Sequence, residues 1–352
     1  PPPPPHTPRP WSSAASDVYK RQTRHGAPPG TIPVTATFHD DELAAGVWRW
    51  PFDPGLPALE RLARTTTQVL ADHGVATSAP PRTNVAAYRP TERAVLRIDA
   101  GDCVGFAKLV RPDEAADLIR RHELLMTSGL PVPELVAHDV DQGLVIMDGL
   151  RGPTLRDLVK SDASTWPAPD TIAGLVRRIG TVDAPDLTAM RRRLRDGPHH
   201  TALLASVLPQ ERDRLARLDE RLQQALDEAS EREPMFVHGD LHERQLIVDG
   251  DHIVGLLDID ECGVGDPADD VAVPVAHLRY RALTAPNAAR IHRYADDLVA
   301  ATSDVIPSTT AAVVSAAVLA GLATSSFRAQ ADDWQHRAAT VLDLIDDVLT
   351  TT

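Results

Sequence analysis

An α+β fold in two parts, a small antiparallel sheet followed by a larger and mostly helical region, is what this chain of 352 residues predicts. Three observations carry that expectation. Between Asn84 and Arg111 the residues alternate and turn like a three-stranded meander, whereas from Thr154 onward most apolar residues follow helical spacing. Around Pro234 to Asp258 three short apolar runs interrupt the helices and read as a strand, a loop and a hairpin.

Composition narrows the class. Hydrophobic residues make up 43% and aromatic residues only 4%, so the core is expected to be built from Ala, Val and Leu. A formal net charge of -14 argues against a nucleic-acid binder, which needs a basic face. Cys103 and Cys262 are the only cysteines, so no disulfide framework is expected and a reducing cytoplasm is the natural setting. The longest Ala/Val/Leu-rich run, Ala311 to Ala323, is shorter than the roughly 20 residues that span a bilayer, so a soluble chain with no membrane segment is expected. Lys20, Lys108 and Lys160 are the only lysines, which draws attention to each.

In chain order, residues 1–22 begin with Pro1 to Pro5 and are read as non-native or disordered, outside the fold. Residues 23–81 form an amino-terminal extension. Its Trp48 to Pro57 stretch is rich in turn formers, and Ala58 to His73 has a helical period that stops before Gly74, so a small cap packing onto the neighbouring lobe is expected. The small lobe is assigned to residues 82–149. Val85 to Tyr88, Ala94 to Ile98 and Val104 to Val110 are its first strands, the third carrying Lys108. A helix from Pro112 to about Ser128 comes next, with Asp113 and Glu114 in its first turn and Gly129 as its stop. Leu135 to His138 and Leu144 to Met147 read as two more strands. The large lobe is assigned to residues 150–352, with helices over Thr154 to Lys160, Thr171 to Thr181, Leu208 to Ser230, Asn287 to Ser303, Thr309 to Ala323 and Asp332 to Leu349.

The interrupting segment carries the chemistry. If its hairpin closes near Asp251, then Gln245 and Asp258 sit at the open end, close to Asp240. Three oxygen-bearing side chains on one spot suit a base and the ligands of a hard cation such as Mg²⁺.

His238-x-Asp240-x-x-x-x-Gln245, with Asp258 after the hairpin, resembles the catalytic segment of the aminoglycoside phosphotransferase and choline kinase-like branch of the protein-kinase fold. The resemblance implies a two-lobed protein-kinase-like architecture whose small lobe binds nucleotide. It implies ATP and Mg²⁺ as cofactors, with Asp240 as base and Asp258 as metal ligand. Gln245 stands where protein kinases carry Asn. A Gln is similar to maltokinase-like relatives and is read as a variant metal ligand. His238 is expected to brace the loop; His242 contacts either loop or substrate; Asp260 is a second ligand or a solvated acid. Asp266-Pro267 and Asp269 to Ala272 resemble the family's Gly-Asp-Pro and Asp-Leu-Ala elements, which assigns loop bracing to Asp270.

Further up the chain, the same resemblance gives Lys108 the α- and β-phosphates and an acid partner. Glu123 is chosen for that partner, with Glu114 as its competitor. Asp148 to Gly152 becomes the hinge, where backbone groups of Asp148 and Leu150 meet adenine. No glycine-rich loop precedes Lys108, so the turn Arg89 to Arg93 is left to cover the phosphates. The implied activity is ATP-dependent transfer of the γ-phosphate to a hydroxyl of a small molecule, a sugar, amino sugar or aminoglycoside-like acceptor. The alternative is a catalytically inactive nucleotide-binding module acting through a partner. A protein kinase is disfavoured, since no activation segment with an Ala-Pro-Glu ending follows Asp258.

Overall fold

The structure, a computed structural model, describes residues 32–38, 41–47, 50–101, 103–187, 197–229 and 232–350. The readings attached to residues 1–22 and to Trp48 and Arg49 lie outside these. The chain divides into two compact units, Pro1–Arg120 with Glu134–Gly149, and Arg121–Pro133 with Leu150–Thr352.

In the first unit, β1 (Ile32–Phe38) and β2 (Asp41–Val47) form an antiparallel hairpin that the sequence reading did not anticipate. A one-turn 3-10 helix (Pro57–Leu59) and a helix over Leu62–Asp72 come after it. Then come β3 (Arg82–Arg89), β4 (Arg93–Ala100), β5 (Cys103–Val110), β6 (Leu135–Asp139) and β7 (Leu144–Asp148). These five make one antiparallel sheet in the order β3-β4-β5-β7-β6. Strand alternation gives the sheet two apolar faces. Leu96, Ile98, Ala107, Leu109 and Ile146 pack with Leu56, Leu59, Leu62 and Leu70 of the extension. Val110 and Val145 pack on the opposite side with Ala115, Leu118 and Ile119 of the Pro112–Thr127 helix. The helix from the extension thus completes a core the sheet needs.

Asp53 fastens that extension. It is 6% exposed and its carboxylate accepts three hydrogen bonds, from the N–H of Gly55 (2.8 Å), the hydroxyl of Tyr88 (2.7 Å) and the N–H of Thr91 (2.9 Å). Thr91 lies at the tip of the β3–β4 turn with a φ of 61°, a region that costs a branched residue energy and that the bond to Asp53 helps to hold. Gly55 is needed here, because a Cβ would come within 2.6 Å of the Thr91 carbonyl oxygen.

The second unit is mainly helical. Its helices span Leu155–Lys160, Pro169–Gly180, Gly197–Val207, Arg212–Glu228, Ala268–Ala282, Ala288–Ala301, Ser308–Ala323 and Trp334–Thr350. Between them lie β8 (Met235–Val237), β9 (Leu246–Asp249), β10 (His252–Leu256) and β11 (Gly263–Gly265). The strands β9 and β10 form the expected hairpin, and β8 pairs with β11. Three differences from the sequence reading stand out. The helix expected from Leu208 begins at Arg212 after a 3-10 turn, because Pro209 favours a helix start and cannot donate inside one. The helices Gly197–Val207 and Ala268–Ala282 were not anticipated; in the second, Pro274 sits inside the helix and masked it.

The Ser308–Ala323 helix is buried on nearly every side between two apolar clusters, which explains its small residues: Ala311 and Val314 face one, Ala316, Leu319 and Ala320 the other. The helical run Ser308–Arg328 is apolar and long enough to cross a membrane, yet 67% of an 18-residue apolar stretch within it is buried inside the protein, as in a core helix.

Asp53→Ala strands three donors at once. The expected result is a loss of about 2 to 3 kcal/mol, read as a lower denaturation midpoint; a loss below about 0.5 kcal/mol would place the fastening of the extension elsewhere.

Candidate active site

The apolar strand β8 carries the chain to His238, where the backbone turns sharply. Gly239 has a φ of 79°, open to glycine and costly for other residues. The turn is held by Asp270, in the first turn of the Ala268–Ala282 helix. Its Oδ2 accepts the N–H of His238 at 2.7 Å and its Oδ1 the N–H of Gly239 at 2.9 Å. Asp270 is 1% exposed, and burial pushes its carboxyl above the usual range despite His238 and the two N–H bonds.

His238 is also buried. Its Nε2 lies 2.9 Å from the carbonyl oxygen of Leu257, and its Nδ1 accepts the N–H of Asp240 at 3.2 Å. A carbonyl only accepts and an amide N–H only donates, so the ring is neutral with its proton on Nε2. His238 therefore ties the loop to the far end of the hairpin and orients Asp240, whose side chain is 15% exposed. The next residue, Leu241, is fully buried in the unit's core.

The hairpin closes over Asp249 to His252, and its open end is sealed by the N–H of Leu257 on the carbonyl of Gln245 at 2.8 Å. Asp258 comes directly after, with a φ of 56°. Gln245 Nε2 lies 3.4 Å from Asp258 Oδ2 and 3.4 Å from His242 Nε2. A carboxylate beside an amide that can turn its oxygen inward is a hard-oxygen donor pair, so these residues fit Mg²⁺ by the chemistry of their donors. Asp258's left-handed backbone is of the kind that collects at functional sites.

A second cluster adjoins the loop. Glu243 is 2% exposed, with Oε1 3.3 Å from Arg281 Nε and Oε2 3.4 Å from His277 Nδ1. His277 and His242 stack with ring centroids 4.5 Å apart and planes 8° apart. Burial opposes the charge on Glu243, but the closeness of His277 and the charges of His277, His242 and Arg281 outweigh it and hold the carboxyl down to about 2. Burial, with His277 adding to it, pushes His242 down to about 4, so this ring is neutral at pH 7. Donor atoms of His242, Glu243 and His277 all lie within 4.8 Å of one another. They do not suit a metal: nearly parallel rings send their in-plane lone pairs side by side, and Arg281 already neutralises Glu243.

The second unit thus brings together His238, Asp240, Gln245, Asp258 and Asp270. Lys108 lies in the first unit, on the central strand β5 opposite Val145 and 5% exposed. Asp148 ends β7 and its N–H donates to the carbonyl of Glu134 at 2.9 Å. Leu150 begins the second unit and is half-buried. Glu123 is exposed on the Pro112–Thr127 helix and belongs to the second unit. Sequence reasoning missed Glu243, His277 and Arg281. The signal was present: Asp270, His277 and Arg281 follow helical spacing, but only once residues 268–282 are read as a helix.

Residues 82–303 match the phosphotransferase enzyme family. No curated protein matches the chain in sequence. Among solved structures, a thermostable mutant of aminoglycoside phosphotransferase APH(4)-Ia, in ternary complex with ADP and hygromycin B, is similar with a TM-score of 0.53 at 15% identity, over 81% of this chain and 97% of that one. The GDP complex of aminoglycoside 2'-phosphotransferase-IIIa gives 0.52 at 12% identity, over 82% and 98%. The streptomycin-ATP-APH(2")-IIa ternary complex gives 0.51 at 11%, over 80% and 95%. At these identities the likeness is one of fold, and that fold is protein-kinase-like.

These two shifted groups contribute to the acid stability. Between pH 6.5 and about 4 the unfolded chain takes up a proton at His242 that the folded chain refuses, and between pH 4.5 and about 2 the same holds at Glu243. Each contribution is complete above the unfolded value and is lost as pH falls through the folded one. His242→Gln should therefore flatten the stability curve between pH 6.5 and 4 by up to about 3 kcal/mol, measured as denaturation midpoints; an unchanged slope would remove the ring from this role.

Proposed function

The chain belongs to the phosphotransferase enzyme family, and we propose that it moves the γ-phosphate of ATP to a hydroxyl of a small molecule, with sugars, amino sugars and aminoglycoside-like compounds as the acceptor class. The observation that supports this reading most is the grip of Asp270 on the N–H groups of His238 and Gly239, which orients Asp240 in the loop that also presents Gln245 beside Asp258. The nucleotides and aminoglycosides named in the similar complexes support the two substrate classes.

In this reading Asp240 accepts a hydrogen bond from the acceptor hydroxyl and takes its proton as the acceptor oxygen bonds to the γ-phosphorus. The bond from that phosphorus to the β–γ bridging oxygen breaks, and ADP leaves. Asp258 and Gln245 would hold Mg²⁺, which would supply positive charge against the phosphate oxygens when bound with the nucleotide. Lys108 supplies positive charge to the α- and β-phosphates. The N–H of Asp148 is committed to Glu134, so its contact with adenine falls to the carbonyl, with the N–H of Leu150 completing the pair. Thr91 N–H is committed to Asp53 and Glu92 N–H to the Arg89 carbonyl, so the β3–β4 turn meets phosphate through side chains such as Arg89 and Arg93.

The test begins with thermal stabilisation of the protein by ATP or GTP with Mg²⁺, followed by an ADP-release screen across sugars, amino sugars and aminoglycosides. With an accepted substrate, Asp240→Asn should lower turnover about 10²- to 10⁴-fold while nucleotide affinity stays unchanged. An unchanged rate would remove Asp240 from its role. Nucleotide binding without transfer to any acceptor would favour the inactive binding module instead.

A further inference from the structure

Asp270, Pro274, His277 and Arg281 lie at intervals of four, three and four residues, which puts them on one face of the Ala268–Ala282 helix. Pro274 has no N–H, so the carbonyl of Asp270 lacks its usual helical donor, a break in regularity at the residue that holds the loop. From this face the loop is gripped twice. Asp270 holds the backbone of His238 and Gly239. Further along, the loop reaches back with its own carboxylate, as Glu243 meets His277 at 3.4 Å and Arg281 at 3.3 Å.

The second grip leads to Gln245. Glu243 is bonded by Arg281 through Oε1, and its Oε2 packs 3.4 Å from the ring of His277, on which His242 stacks. His242 in turn accepts the N–H of Arg244 on Nδ1 at 3.2 Å, and its Nε2 lies 3.4 Å from the Gln245 amide. The Glu243 backbone is tied as well, its carbonyl accepting the N–H of Arg156 at 2.9 Å. Gln245 has one more rotatable bond than the Asn found in protein kinases, and freezing that bond costs conformational entropy that surrounding contacts must supply. A carboxylate with 2% of its side chain exposed also needs partners, and the helix face provides both.

We propose that Glu243, acting through His277 and Arg281, is a positioning residue that fixes the His242 ring and the Gln245 amide in the phosphotransfer site. What the Gln245 amide does there rests on the phosphotransfer reading; the grip itself does not.

Hydrogen exchange of the full chain separates the two. In Glu243→Gln the amides of Arg244 and Gln245 should exchange about tenfold faster, while those of His238 and Gly239, held by Asp270, keep their wild-type rates. Unchanged exchange at Arg244 and Gln245 overturns the proposal, whether or not transfer is ever detected. With an accepted substrate, kcat should fall about 10²-fold and the KM for ATP should stay within about twofold; a folded variant with wild-type kcat overturns it too. Arg281→Gln, at a half-buried position, gives the same readouts if Glu243→Gln fails to fold. The double variant removes both charges and should recover thermal stability without recovering kcat or slow exchange. Recovery of kcat along with stability would mean a merely structural ion pair and would overturn the assignment. A wild-type protein that transfers phosphate to no acceptor sinks the phosphotransfer reading alone, since the exchange comparison still decides the grip.

Discussion

One buried carboxylate sets the geometry of the site. Asp270 spends both oxygens on consecutive backbone N–H groups, which the chain presents as it turns through a positive φ at Gly239. The burial that pushes Asp270 upward also makes each of those bonds strong, because no water competes for them. From that turn the other site residues are placed by short covalent distance: Asp240 next, Leu241 sunk into the core, and Gln245 at the mouth of a hairpin whose other strand ends at Asp258.

The helix that carries Asp270 is therefore more than a core element. Val271, Val275 and Leu278 pack it into the main apolar cluster of the second unit, so its polar stripe is as immobile as its apolar one. A site built on such a scaffold gains accuracy from packing that lies well outside it. The same logic appears in the first unit, where Asp53 grips the β3–β4 turn and alternation along β5 buries Lys108 on the face opposite Ala107 and Leu109. In both units a buried acid with several backbone or hydroxyl donors holds a turn that side-chain propensity alone would leave loose.

Much of this was legible in the residues. The alternation from Asn84 to Val110, the stop at Gly129 and the turn at Asp249 to His252 marked the sheet, the helix end and the hairpin, because each depends on local periodicity or on a residue with a special backbone preference. The Ala268–Ala282 helix was not legible. Pro274 breaks the local pattern, and the helix survives because burial of Val271, Ala272, Val275 and Leu278 outweighs the missing N–H. Without that helix, His277 and Arg281 had no visible relation to Glu243.

By itself the sequence determined the strands of the small sheet, the hairpin after the loop, the loop from His238 to Gln245 and the chemical character of its side chains, since these depend on neighbours within a few residues. Only the tertiary structure decided which groups became partners. The carboxylate of Asp270 meets N–H groups about thirty positions away, Glu243 meets Arg281 across a similar gap, and Asp53 meets Thr91. Contacts of that kind are chosen by where packing places the backbone and by the cost of burying a charge alone, and neither quantity is written in any short stretch of chain.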